Sequence, residues 1–118
     1  MFVNDQDATI NFYKKLGFIV HTDADFDGVR WLTLCFPDKK DFELVVMKAK
    51  TDVEKALVGK QGGDSPFITL ESNDCKKDYE TLKALGIEIL GKPESKPWGI
   101  SMFFNDNSGN EIYVCQHV

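Results

Sequence analysis

No stretch of this 118-residue chain approaches the ~20 consecutive apolar residues that a membrane-spanning helix needs. The opening MFVNDQD also lacks the basic and apolar regions of a signal peptide, so a cytoplasmic protein without a membrane partner is expected. Basic residues are scarce. With 14 Lys and Arg against 19 Asp and Glu, the net charge is −5 and the pI about 4.9. No basic cluster is longer than a Lys pair, which excludes a surface built to track phosphates and with it a nucleic-acid partner. The three cysteines, Cys35, Cys75 and Cys115, are odd in number and form no CxxC pair. Neither a disulfide framework nor a zinc knuckle is indicated, and buried reduced thiols are expected. Histidine is limited to His21, alone on its strand, and His117, at the end of the chain. Both are expected as solvated or core-edge residues rather than metal ligands.

What remains is an ordinary globular composition, 42% hydrophobic and 28% charged, in one domain that can bury a core but is too short for two independent ones. The most informative stretch is NDNSGNEIYVCQ, Asn105 to Gln116. A run of turn formers through Gly109 and Asn110 feeds a strand in which Ile112 and Val114 alternate with Glu111, Tyr113 and Cys115. Near the other end, Asn4 or Asp5 can cap a helix through DATINFYKKL, with Ala8, Phe12 and Leu16 as its buried stripe, Tyr13 beside them and Gly17 as the stop. FIVHTDADF and VRWLTLCF read as strands around a turn at Asp27 and Gly28. PDKKD is the next turn and FELVVM the next strand.

After the polar connector TDVEKALVGKQ, closed by Gly62 and Gly63, the pattern repeats. FITLES is a strand, Asn73 or Asp74 caps CKKDYETLKAL, Gly86 ends that helix, and IEIL, GISMFF and EIYVC follow as strands. Asn4, Asp5, Leu16 and Gly17 map onto Asn73, Asp74, Leu85 and Gly86 at a constant offset of 69 residues. The expected fold class is therefore α+β, with tandem βαβββ units forming a curved mixed sheet. Unit one spans about 1–50, a linker about 51–64, and unit two about 65–118, all within one domain.

Alternation assigns faces. Phe42, Leu44 and Val46 should lie under a helix with Ile112 and Val114, whereas Glu43, Val45 and Met47 face the other way with Tyr113. Trp31 shares a face with Thr33 and Cys35. Glu43 sits among apolar residues, where desolvation would favour its protonated form, and so suits either ligand contact or proton transfer. Trp98, in a loop with Pro97 and Gly99, is poorly explained by core packing alone. Asp23, Asp25 and Asp27 are expected to form a solvated hairpin face rather than a cation site.

The Asp5, Ala8, Phe12, Tyr13, Leu16, Gly17, Phe18 pattern and the Asp106, Gly109, Asn110 pattern, with Pro97 to Gly99 before the penultimate strand, resemble the vicinal oxygen chelate superfamily over the whole chain. That superfamily includes glyoxalase I, bleomycin and fosfomycin resistance proteins and extradiol dioxygenases. The resemblance implies metal ligands on the first strand of each unit, usually His, and on the last strand of each unit, usually Glu. Here those positions fall on Glu43, Phe67 and Tyr113, and the first-unit His would fall before residue 1. Only Glu43 is a suitable ligand, so no metal and no other cofactor is expected.

The resemblance thus implies a small-molecule-binding protein. Trp31, Phe67, Trp98, Tyr113 and Met47 would line an aromatic cleft, and Glu43 would orient the ligand by a charge-assisted hydrogen bond. The alternative it carries is a divalent-metal-dependent lyase, isomerase or dioxygenase whose missing ligands come from upstream residues or another subunit. A metal-independent enzyme with Glu43 as general base stays open, and no catalytic residue is assigned. A homodimer is expected, because family members commonly close the cleft with a second copy.

Overall fold

In a computed structural model the described residues are 1–117. They form two compact units, residues 1–61 and residue 62 onward. The first contains β1 (Phe2–Val3), α1 (Gln6–Lys15), β2 (Ile19–Phe26), β3 (Val29–Phe36), β4 (Lys39–Lys48) and α2 (Asp52–Leu57). The second contains β5 (Ile68–Glu71), α3 (Cys75–Ala84), β6 (Glu94–Lys96), β7 (Gly99–Asn105) and β8 (Glu111–His117). Hydrogen bonding makes two four-stranded sheets, ordered β1-β4-β3-β2 and β5-β8-β7-β6. In each, the first strand pairs parallel with the last and the other pairs are antiparallel. The α+β fold of two βαβββ units is thus present as curved, open mixed sheets, with a separate hydrogen-bonded sheet in each unit.

The repeat is visible in the helix bounds. Gln6 to Cys75 and Lys15 to Ala84 are both steps of 69 residues. Asp5 caps α1 by accepting the Ala8 N–H at 2.9 Å, and Asp74 caps α3 by accepting the Lys77 N–H at 3.1 Å. Such caps satisfy N–H groups that have no partner inside the helix. Gly17 and Gly86 follow the two helices in the left-handed region, with φ of 101° and 87°.

The buried side of α1 differs from the expected stripe. Gln6, Thr9 and Tyr13 are its buried residues, while Ala8, Phe12 and Leu16 flank them half-buried. Polar groups are tolerated there because backbone carbonyls receive them: Gln6 Nε2 donates to Val46 O at 3.0 Å, and Thr9 Oγ1 to Asp5 O at 2.8 Å. Leu32, Leu34, Leu44 and Val46 are buried on one face of the first sheet, and Met102, Phe104, Ile112 and Val114 on the corresponding face of the second.

Two expectations fail. Phe42 keeps the parity of Leu44 but is 55% exposed, because residues 39–43 lie at the hairpin end of β4, where every side chain reaches solvent. IEIL is not the sixth strand. Ile89 makes a single bridge to Phe104, and β6 is Glu94–Lys96, paired to β7 with Lys96 opposite Gly99. A two-residue turn at Pro97 and Trp98 requires the partner strand to end at Lys96, whatever its hydrophobicity.

Candidate functional site

The turn feeding β8 is held by one carboxylate. Asp106 Oδ1 accepts the N–H groups of Ser108, Gly109 and Asn110 at 2.9, 3.0 and 2.9 Å, and Oδ2 accepts Asn110 Nδ2 at 3.0 Å. Both residues are buried. An ionised carboxylate taking several N–H bonds at once is a strong local clamp, and it fixes the register of β8. Tyr113 then faces away from the Ile112 and Val114 side, opposite Thr69 on β5 and Phe103 on β7.

Trp98 Nε1–H donates to Tyr113 Oη at 3.0 Å, so the indole at the β6–β7 turn is tied to the β8 phenol. Trp98 is nevertheless 52% exposed. Gly99, with φ of 150°, allows this turn to meet β8. A Cβ there would lie 2.0 Å from Gln116 O, so no other residue fits without moving the strand. Around the pair is a pocket of about 210 Å³ lined by Leu90, Lys96, Trp98, Phe103 and Tyr113, among others. Its polar rim includes Glu94 and Lys96, ion-paired at 2.9 Å. A wider concavity of about 300 Å³ beside α3 has, among the described residues, Tyr79 as its one aromatic wall along with two lysines, which gives a flat apolar ligand much less to stack on. Phe67, half-buried just before β5, donates its N–H to Glu111 O at 2.8 Å and so shares the Tyr113 side of the sheet.

The first unit builds something different on its matching face. Thr33 Oγ1–H donates to Glu43 Oε1 at 2.8 Å, and His21 Nδ1 lies 3.0 Å from the same oxygen. His21 Nδ1 also lies 2.8 Å from Thr22 Oγ1. His21 was expected to stand alone. A β-bulge between Val20 and Thr22 makes it the extra residue of β2, so it leaves the alternation and swings onto the side carrying Thr22 and Thr33. Nothing in the residue pattern announces a bulge. The Glu43 side chain is 41% exposed, so the desolvation expected of it from its apolar neighbours is largely missing. Trp31, 39% exposed, shares the Thr33 face of β3, and Met47 lies half-buried opposite Phe2.

The ladders also settle which positions match between the units. Phe2 pairs with Met47 as Glu71 pairs with Cys115, and residues 2 and 71 differ by the helix offset of 69. Met47 is therefore the counterpart of Cys115, Val45 of Tyr113 and Glu43 of Glu111. Glu43 and Tyr113, matched through the family pattern, are two residues apart in the structural repeat.

Asp23 and Asp25 face solvent, but Asp23 is more than a solvated carboxylate. It takes two bonds from Arg30, at 2.9 and 2.8 Å, while Asp7 takes a third at 2.9 Å. Hydrogen bonding to Arg30 holds the Asp23 carboxyl below the usual carboxylate range and raises the guanidinium further. Asp25 instead accepts the Gly28 N–H at 3.0 Å and closes the turn. Cys35, Cys75 and Cys115 are free and buried, and burial first, then the Asp78 charge, pushes the Cys75 thiol up.

The donor set does not fit a divalent ion. Glu43 is the only carboxylate among the three family positions within the chain, and it already serves His21 and Thr33, while Phe67 offers no donor atom. Among the described residues no three His, Cys, Asp or Glu side chains gather. Such an ion needs several converging oxygen or nitrogen ligands.

The sequence matches the model of the Glyoxalase/Bleomycin resistance protein/Dioxygenase superfamily over residues 1–114, and the chain belongs to that family. It is 32% identical to the uncharacterized protein YurT of Bacillus subtilis, covering 98% of this chain and 94% of that one. The crystal structure of UcmS2 superposes with a TM-score of 0.84 at 29% identity, covering 98% of this chain and 92% of that one. TnmS3, an antibiotic binding protein from Streptomyces sp. CB03234, superposes with a TM-score of 0.77 at 26% identity, covering 100% of this chain and 93% of that one. No helix among the described residues is long and apolar enough to cross a membrane.

Proposed function

We propose that the protein is a small-molecule-binding protein that holds a flat, largely apolar ligand against the aromatic wall of its second unit, without a metal. The observation that carries this reading is the Trp98–Tyr113 hydrogen bond, which fixes an exposed indole beside Phe103 at the mouth of a pocket. An exposed aromatic locked by a neighbour has already lost the freedom that ligand binding would otherwise cost it. Similarity to TnmS3, an antibiotic binding protein, supports a small molecule as the ligand. A cytoplasmic location and a homodimer belong to this reading. β1, β2, β5 and β6 are the edge strands of their sheets, and an edge strand is where a second copy can pair; light scattering giving a monomer at micromolar concentration would remove the dimer.

The test is a thermal-shift screen of antibiotics, aromatic metabolites and α-ketoaldehyde–thiol adducts, each with and without EDTA. A ligand that binds only the folded state adds about 2.7 kcal/mol of apparent stability at a hundredfold excess over Kd. The expected result is a shift for a flat aromatic compound that EDTA leaves unchanged and Trp98→Ala removes. A shift confined to the thiol adducts and abolished by EDTA would instead establish the metal-dependent lyase.

A further inference from the structure

The cluster on β2, β3 and β4 has the parts of an oriented proton acceptor. Glu43 Oε1, as a carboxylate oxygen, can only accept, so at 3.0 Å His21 Nδ1 must carry the hydrogen. Thr22 Oγ1, 2.8 Å from the same nitrogen, shares it. The Glu43 carboxylate is in turn pinned by the hydroxyl of the fully buried Thr33. This fixes the neutral imidazole as the Nδ1–H tautomer and, among the described residues, leaves the Nε2 lone pair without a hydrogen-bond partner, on a side chain 30% exposed. A base held in one tautomer by a carboxylate, which also stabilises the imidazolium formed when the base takes a proton, is the arrangement that activates histidine in hydrolytic triads. Among the described residues no nucleophile is hydrogen-bonded to His21 Nε2, which leaves that nitrogen to take a proton from a bound molecule. Trp31, 39% exposed, lies on the same face of β3 two residues from Thr33 and offers an aromatic surface on that side of the sheet.

We propose that His21 and Glu43 form a second binding site that takes a phenol-type ligand and accepts its acidic hydroxyl proton. The O–H bond breaks with its electron pair left on oxygen as the phenolate, and the proton forms the Nε2–H bond. The resulting imidazolium bonds Glu43 through Nδ1–H and the phenolate through Nε2–H, and release of the ligand as the phenol reverses the step. No metal or redox partner is needed. Among the described residues Glu43 is the charged side chain paired with His21, while Asp23 and Arg30 pair with each other. Every residue involved belongs to the first unit, so the inference stands apart from the aromatic pocket of the second.

The probe is 4-nitrophenol, whose phenolate absorbs visibly where the phenol does not, titrated with protein at a pH below its own ionisation. Absorbance should rise severalfold and saturate with the unmutated protein, stay at the buffer level with His21→Gln, and rise several times less with Glu43→Gln. Unchanged absorbance with the unmutated protein, or a rise that survives His21→Gln, would overturn the proposal. Nitrogen NMR of the ligand-free protein provides a check that no folding defect can confuse. The neutral His21 ring should be the Nδ1–H tautomer, and an Nε2–H tautomer would refute the site.

Discussion

The two units share a helix, two caps, a strand order and a core face, yet they differ on the face their helices leave free. Where the second unit places Phe103 opposite Tyr113, the first places Thr33 opposite Val45. Where the first has the eight-residue β2 with its bulge and His21, the second has a three-residue β6 preceded by a loop, and the aromatic pocket opens there. The features common to both units are those that make the fold: capped helices, aliphatic strand faces and glycine stops. Chemistry is carried by the other face, where a polar triad and an aromatic wall occupy equivalent scaffolding. One supersecondary unit thus supports two different surfaces, because side chains on opposite faces of a strand answer to separate constraints.

The largest effect should separate the two β-turns that feed the last strands. Asp106→Ala removes a buried carboxylate and the four hydrogen bonds it accepts, and should cost roughly 3 kcal/mol or more of unfolding free energy. Asp38→Ala, in the exposed turn of the first unit, should stay within about 0.5 kcal/mol. Equal losses in urea denaturation would break the comparison. The helices should instead behave alike: Asp5→Ala and Asp74→Ala remove equivalent caps and should each cost about 1 kcal/mol. If one cap proved silent, the units would differ in their scaffold as well as in their surface.

In the second unit, Tyr113→Phe frees the Trp98 indole while keeping the ring, and should weaken a ligand found by the thermal screen by about 1 kcal/mol, close to fivefold, without loss of stability. The smallest effect concerns pH. The Asp23 carboxyl is held below its ordinary value, so its contribution is complete above the unfolded carboxylate range of about 4 and is lost as pH falls through the folded value. Asp23→Asn should therefore lower Tm slightly at neutral pH and match the unmutated protein in strong acid. A gap that widens on acidification would reverse the assigned sign.

Much of the scaffold could be read from the residues alone. Asp5 and Asp74 capped the helices as expected, and Leu44 and Val46 were buried while Glu43 faced away, because capping and strand parity are local rules. The failures were nonlocal. Gln6 and Thr9 reach the buried side of α1 through bonds to distant or backbone carbonyls. The β6 strand, with no apolar residue, is dictated by the turn after it. His21 reaches Glu43 only through a bulge, and Glu94 and Lys96 reach the pocket only because that short strand exists. The Trp98–Tyr113 bond spans fifteen residues and joins two positions that the sequence marked separately.

Each unit carries a single tryptophan, Trp31 in the first and Trp98 in the second, so the indole N–H resonances report on the two faces separately. The decisive measurement is a nitrogen–proton NMR titration of EDTA-treated protein with the best flat aromatic compound from the thermal screen. The account predicts that the Trp98 indole resonance moves and saturates in step with the thermal shift. A Trp98 resonance that stays in place at saturation would contradict it and remove the second unit's aromatic wall as the binding site.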